Sequence, residues 1–198
     1  MPIYLPPLSR RGFLQRAFLA GAGVAVAPQL FAAARSTDAN TWALLADTHI
    51  AADSRRIERA INMTDHFRTV SQELLALPQR PAGVFIVGDC ALSKGEPGDY
   101  AALTGLLEPL RGGGLPLHLA LGNHDQRENF WAALEAKQAA KRPVADKQVA
   151  LVSSPLVNWF MLDSLEQTLA TPGSLGAAQL AWLAETLDAN RDKPAVIL

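Results

Sequence analysis

The sequence of 198 residues has a single cysteine, Cys90. No disulfide can close within the chain, so a disulfide-stapled scaffold is excluded. A surplus of positive charge is also missing: 18 Lys and Arg stand against 19 Asp and Glu, for a formal net charge of −1. That balance excludes the basic stripe on which nonspecific nucleic-acid binding depends. Aromatic residues make up 7%, and the four tryptophans, Trp42, Trp131, Trp159 and Trp182, are scattered. They read as core or groove residues rather than a stacking platform. No internal repeat or low-complexity tract stands out. What remains, 49% hydrophobic and 19% charged residues, is ordinary globular composition and excludes a disordered chain.

The first 34 residues read as an address rather than as part of the fold. Arg10 and Arg11 form a basic pair, a short apolar stretch runs from about Ala17 to Ala27, and Ala32–Ala34 supply the small residues that precede a signal cleavage site. The apolar stretch is well short of the roughly 20 residues a membrane span needs, so no stable transmembrane anchor is expected. The run Ser9-Arg10-Arg11-Gly12-Phe13-Leu14 resembles the twin-arginine export signal. The resemblance implies recognition by the twin-arginine export machinery, a periplasmic location, and a mature domain beginning at Arg35.

The domain itself, 35–198, opens with a short apolar run from Thr41 to Ala46 that stops at Asp47-Thr48-His49. The spacing of Ile57, Ile61, Phe67, Val70, Leu74 and Leu77 predicts an amphipathic helix over 55–77. A second β-branched and aromatic run, Val84 to Val87, stops at Gly88-Asp89. A helix is expected over 99–110. A third apolar run, from Leu115, stops at Gly122-Asn123-His124-Asp125. Strands with little polar alternation, separated by helices, predict an α/β fold with a parallel sheet covered on both faces. Right-handed crossovers point all such strands one way, so their C-terminal ends share the edge where open α/β sheets take ligands. The topology thus gathers six polar side chains from three distant segments. Downstream, Glu128 to Ala140 is predicted helical, and 147–164 reads as two strands around a Ser-Ser-Pro turn. Leu180, Leu183 and Leu187 define the inner face of a last helix, and the chain then enters another strand at Ala195-Val196-Ile197-Leu198.

Carboxylate, imidazole and amide donors without thiolates suit divalent Mn, Fe or Zn. Two such ions can clamp a phosphoryl group and activate water as a nucleophile, while a nearby histidine protonates the departing oxygen. Each motif alone is ordinary turn chemistry. Their joint order at three strand ends is not.

That order resembles the calcineurin-like metallophosphoesterases, and Phe160 to Ser164 followed by Gly176 to Leu187 looks like the corresponding segment of their cyclic-nucleotide phosphodiesterase-like branch. The resemblance implies a four-layer α/β/β/α sandwich and two divalent metal ions. It implies hydrolysis of phosphomonoesters or phosphodiesters by metal-bound hydroxide, with a small phosphorylated substrate. Asp47 and His49 would hold the first metal, Asp89 would bridge both, and Asn123 would hold the second. His124 would stand at the leaving group as proton donor, with Asp125 orienting it. Purple acid phosphatases fit less well, because by resemblance they carry glycine and tyrosine where this chain has His49 and Leu92. Downstream histidines of the family pattern do not occur before Leu198. The sandwich is therefore expected to be incomplete at its C-terminus, and the alternative is a truncated or degenerate member that binds metal or a partner without turnover.

Other polar residues carry blander expectations. Cys90 reads as a small buried thiol, His118 as a packed strand histidine, His66 as a solvated helix residue, and Asp163 as structural. Lys137, Lys141, Arg142 and Lys147 read as a solvated face rather than a phosphate-attracting rim.

Overall fold

The computed structural model describes residues 36–134 and 142–198. The export signal expected over 1–34 and the end of the helix expected over 128–140 lie outside the described residues.

The central sheet is built from β2 (Ala43–Ala46), β4 (Val84–Val87) and β5 (Leu117–Ala120), all parallel, in the order β2-β4-β5. Side chains alternate across it, as strand geometry requires. Ala43, Leu45, Val84, Ile86, Leu117 and Leu119 face one core, which Phe67 of α1 (Met63–Ala76) and Tyr100, Leu103, Leu107 and Leu110 of α2 (Pro97–Gly112) complete. Phe85 and Ala120 face the opposite way. There they meet Val152, Trp159 and Met161 from a second sheet, β6 (Ala150–Ser153), β7 (Asn158–Met161) and β8 (Ala195–Ile197). Phe85 and Trp159 pack with ring centroids 4.9 Å apart and planes tilted by 41°. In the second sheet β6 pairs antiparallel with β7, around the expected Ser-Ser-Pro turn, and β8 pairs parallel with β7. Asn158 and Phe160 point away from the inter-sheet core, and Asn158 Nδ2 donates to the carbonyl of Asn190 at the end of α4 (Ala177–Ala189). Helix, sheet, sheet and helix follow one another, the α/β layering expected from the sequence. A separate two-stranded ribbon pairs β1 (Ser36–Asp38) with β3 (Gln79–Pro81), and a short helix, α3 (Arg127–Leu134), follows β5.

Two expectations need correction. The first helix begins at Met63, not at 55: Asn62 caps it by accepting from the Asp65 N–H, and Arg59 and Ala60 before it have φ of 49° and 65°, which no helix permits. Ile57 and Ile61 are accordingly exposed, not core. In α4, Leu180 is exposed as well, and the residue it buries is Gln179, whose side chain accepts from the Asp163 N–H and donates to the Asp163 carbonyl.

No helix among the described residues is long and apolar enough to cross a membrane.

Candidate metal centre

The three polar stops do meet. Beyond β2 and β4 the chain continues as two adjacent loops, joined by His49 N–H to Asp89 O at 2.9 Å, Ile50 N–H to Cys90 O at 3.0 Å and Leu92 N–H to Ile50 O at 2.9 Å. Asp47, His49 and Asp89 each offer a ligand atom, and the three atoms lie within 4.8 Å of one another. All three residues sit in the left-handed backbone region, with φ of 51°, 41° and 43°. That region disfavours residues other than glycine, so the surrounding structure holds these side chains in place against local preference. Gly88, at φ 74°, turns the chain out of β4 at once.

The loop after β5 closes the site. A Cβ at Gly122 would stand 2.2 Å from Asp89 Oδ1 and 2.3 Å from Asp89 N, so only glycine lets the two loops approach this closely. The His124 N–H donates to Asp89 Oδ1 at 2.9 Å, leaving Oδ2 toward His49 Nε2, 3.7 Å away. Asn123 is half-buried, its carbonyl accepts from Leu169 N–H at 2.7 Å, and its side-chain amide has no hydrogen bond among the described residues. Its ring centroid 5.0 Å from that of His49, His124 meets the latter edge-on. Its Nδ1 lies against the carbonyl of Ser93. A carbonyl can only accept, so the proton sits on Nδ1 and Nε2 is left open.

Asp125 departs from its expected role. Among the described residues its fully buried carboxylate makes no hydrogen bond to the His124 ring. Instead it accepts from Gly122 N–H at 2.8 Å, Cys90 N–H at 3.1 Å, Ala91 N–H at 3.0 Å and the Tyr100 hydroxyl at 2.9 Å. The physical reason is that four donors, one from the turn itself, two from the neighbouring loop and the Tyr100 hydroxyl from α2, saturate the carboxylate's lone pairs. Asp125 therefore braces the loop after β4 against the loop after β5, and acts on His124 only through that backbone. Burial pushes its carboxyl up from the usual carboxylate range, against the downward pull of those donors. Burial, then the Asp125 charge, pushes the Tyr100 phenol up too. Nothing in the residue types flagged Tyr100 as part of this brace.

Cys90 is a buried free thiol against the Ala120 carbonyl, raised well above its ordinary pKa by burial and then by Asp125 and Asp89. The small buried thiol expected is the one observed. Asp163, fully buried, holds Arg127 through two hydrogen bonds of 2.9 and 3.0 Å, and Gln148 N–H at 2.7 Å. The expected structural role is the observed one. Lys147 is not solvated as expected: its ammonium donates to the carbonyls of Asp163, Leu165 and Ser174.

A cleft of about 650 Å³ opens beside the cluster, bordered by Asp47, His49, Arg59, Ile61, Leu92 and His124 among others. Harder divalent ions match the donor set of two carboxylates, one imidazole and an adjacent amide, all without thiolate.

No protein-family profile matches the chain. It is 30% identical over 151 residues to a cAMP/cGMP dual specificity phosphodiesterase of Mycobacterium tuberculosis, a match covering 72% of this chain and 43% of that protein. To a probable cyclic nucleotide phosphodiesterase of Rhodococcus erythropolis it is 31% identical over 101 residues, covering 50% of this chain and 33% of that one. The chain thus spans less than half the length of these curated relatives. Among solved structures it is similar to a dimetal phosphatase from Danio rerio, with TM-score 0.59 and 14% identity over 80% of this chain and 68% of that one. It is also similar to a purple acid phosphatase from yellow lupin seeds, with TM-score 0.51 and 14% identity over 79% of this chain and 29% of that one. At that identity the likeness is one of fold. The chain has the α/β metallophosphoesterase fold, with a carboxylate–imidazole cluster suited to divalent metal ions at the C-terminal edge of its parallel sheet.

Proposed function

We propose that this chain is a divalent-metal-dependent phosphoesterase acting on phosphodiesters of nucleotide size. One observation carries the reading: the ligand atoms of Asp47, His49 and Asp89, from two strand ends, converge within 4.8 Å beside an open cleft. The names of the two curated relatives support the substrate class. In this reading Asp47 and His49 would hold one ion, Asn123 would hold a second, and Asp89 would serve both. Bound divalent ions would neutralise phosphoryl oxygens and lower the pKa of a coordinated water. The chain's own contribution is positional. Asp89 Oδ1 fixes the His124 backbone, the Ser93 carbonyl keeps one ring proton on Nδ1, and Nε2, once it too carries a proton, can give that proton to the departing oxygen. Asp125 keeps the two ligand loops in register. Residues 1–34 act as a twin-arginine export signal, on the strength of the Arg10-Arg11 pair and the apolar stretch after it, and direct the mature domain to the periplasm.

Metal analysis after Mn or Zn loading and desalting, together with hydrolysis of cyclic AMP and bis(4-nitrophenyl) phosphate, tests this reading. Asp89→Asn is expected to lose both metal and hydrolysis. Unchanged metal content in that variant overturns the site.

One observation favours a second reading, metal binding without turnover. Of the four histidines only His49 and His124 stand at the site, since His66 is exposed on α1 and His118 lies between the sheets. Metal-dependent hydrolysis by this chain rules that reading out.

A further inference from the structure

The segment between the first ligand loop and α1 is a tight hairpin. Glu58 N–H donates to Ile61 O at 3.0 Å and Ile61 N–H to Glu58 O at 2.8 Å, so only Arg59 and Ala60 form the turn. Both have positive φ, 49° and 65°, although neither is a residue that favours it. Two-residue turns of this hand normally use glycine, asparagine or aspartate. An arginine held there against preference, beside a metal-type cluster, calls for a function.

The hairpin is anchored rather than loose. Asn62 Oδ1 accepts from Asp65 N–H and caps α1, while Asn62 Nδ2 donates to Ser54 O at 2.9 Å, tying both ends of the loop together. Two arginines of this loop border the cleft. Arg56 is already committed: its guanidinium donates through Nε and Nη2 to Glu58 Oε1. Arg59 has no ion pair or hydrogen bond among the described residues and is exposed at the cleft wall. It is the uncommitted cation of the cleft that also holds Asp47, His49 and His124. A guanidinium presents paired N–H donors that match phosphoryl oxygens.

We propose that Arg59 is the substrate-binding residue that takes the phosphoryl oxygens of the ester in this cleft, its position set by the Glu58–Ile61 hairpin. The assignment rests on the phosphoesterase reading. A positive side chain at this place draws an anion toward the cluster and leaves Ile61, Met63 and Leu92, which also border the cleft, for the organic part of the ester.

The test is titration calorimetry of inorganic phosphate into the full chain, Mn-loaded and metal-free, with Mn content measured on each sample. Arg59→Gln is expected to weaken phosphate binding about tenfold or more, the loss of one charge-assisted pair, with Mn content unchanged. Arg59→Lys keeps the charge but not the fork and is expected to fall between the two. Arg68→Gln removes the same charge from α1, outside this cleft, and is expected to bind phosphate as the parent does. Phosphate affinity in Arg59→Gln within about twofold of the parent, or equal losses in the Arg59 and Arg68 variants, overturns the proposal. So does a parent that binds no phosphate in either state. A parent that binds no Mn sinks the phosphoesterase reading instead, and the metal-free titrations still decide the role of Arg59.

Discussion

The Tyr100 hydroxyl donates to Asp125 Oδ1 at 2.9 Å and accepts from the Gln126 N–H at 2.8 Å. One phenol from α2 thereby satisfies a buried carboxylate and the backbone that follows it. Tyr100→Phe removes the donor and strands the Gln126 N–H. A hydrogen bond to a charged group together with an unpaired buried donor amounts to about 2–4 kcal/mol. Urea unfolding is expected to show that loss with an unchanged m-value. Asp125→Asn is expected to cost at least as much, because its amide would turn a donor toward backbone N–H groups.

Gly122→Ala tests how tightly the ligand loops fit. The new Cβ collides with both the carboxylate and the backbone N of Asp89. Backbone must shift, at about 1–3 kcal/mol for overpacking. Metal content after desalting is expected to fall together with the melting temperature. A variant that melts lower yet holds metal like the parent contradicts the place of Asp89 in the centre.

His124→Gln separates chemistry from metal binding. The backbone bond to Asp89 survives the substitution, whereas the Nε2 proton carrier is lost. Turnover is expected to fall about 10²–10⁴-fold, the range for one general acid, with Mn content retained. The loss is expected to shrink for esters whose leaving group needs no proton, such as 4-nitrophenolate.

His118 is expected to make stability depend on pH. Packed against Phe85 with ring centroids 5.2 Å apart, it has its pKa lowered from 6.5 by burial. The folded chain binds that proton more weakly than the unfolded chain. The stability is therefore complete above about pH 6.5 and falls as the pH drops through that value toward the lowered folded pKa. His118→Phe is expected to flatten this acid-side slope in melts taken between about pH 5 and 8, while leaving the plateau similar. An unchanged slope places the dependence elsewhere.

Legibility in the sequence followed locality. The apolar runs ending at Asp47, Asp89 and Asn123 were readable because a buried parallel strand leaves an unbroken hydrophobic signature and a polar stop. The strand order then brought the stops together by topology alone. The first helix was overextended because Ile57 and Ile61 happen to keep helical spacing with Phe67, while the Asn62 cap that overrules them is one side-chain bond. The role expected of Asp125 failed for another reason. Which donors a buried carboxylate accepts from is settled by partners such as Tyr100, 25 residues away, and Cys90, 35 residues away. The Arg127–Asp163 pair, 36 residues apart, was equally silent. No periodicity encodes such pairings.

The brace at Asp125 has a consequence for solvent exchange. The amide protons of Cys90, Ala91 and Gly122 are bonded to a fully buried carboxylate, not to a strand neighbour. Their deuterium uptake can proceed only when the β4 and β5 loops part, which makes these three amides a reporter of that opening. A metal shared by Asp89 on the β4 loop and Asn123 on the β5 loop would slow them without touching them, since parting those loops would first have to release the ion.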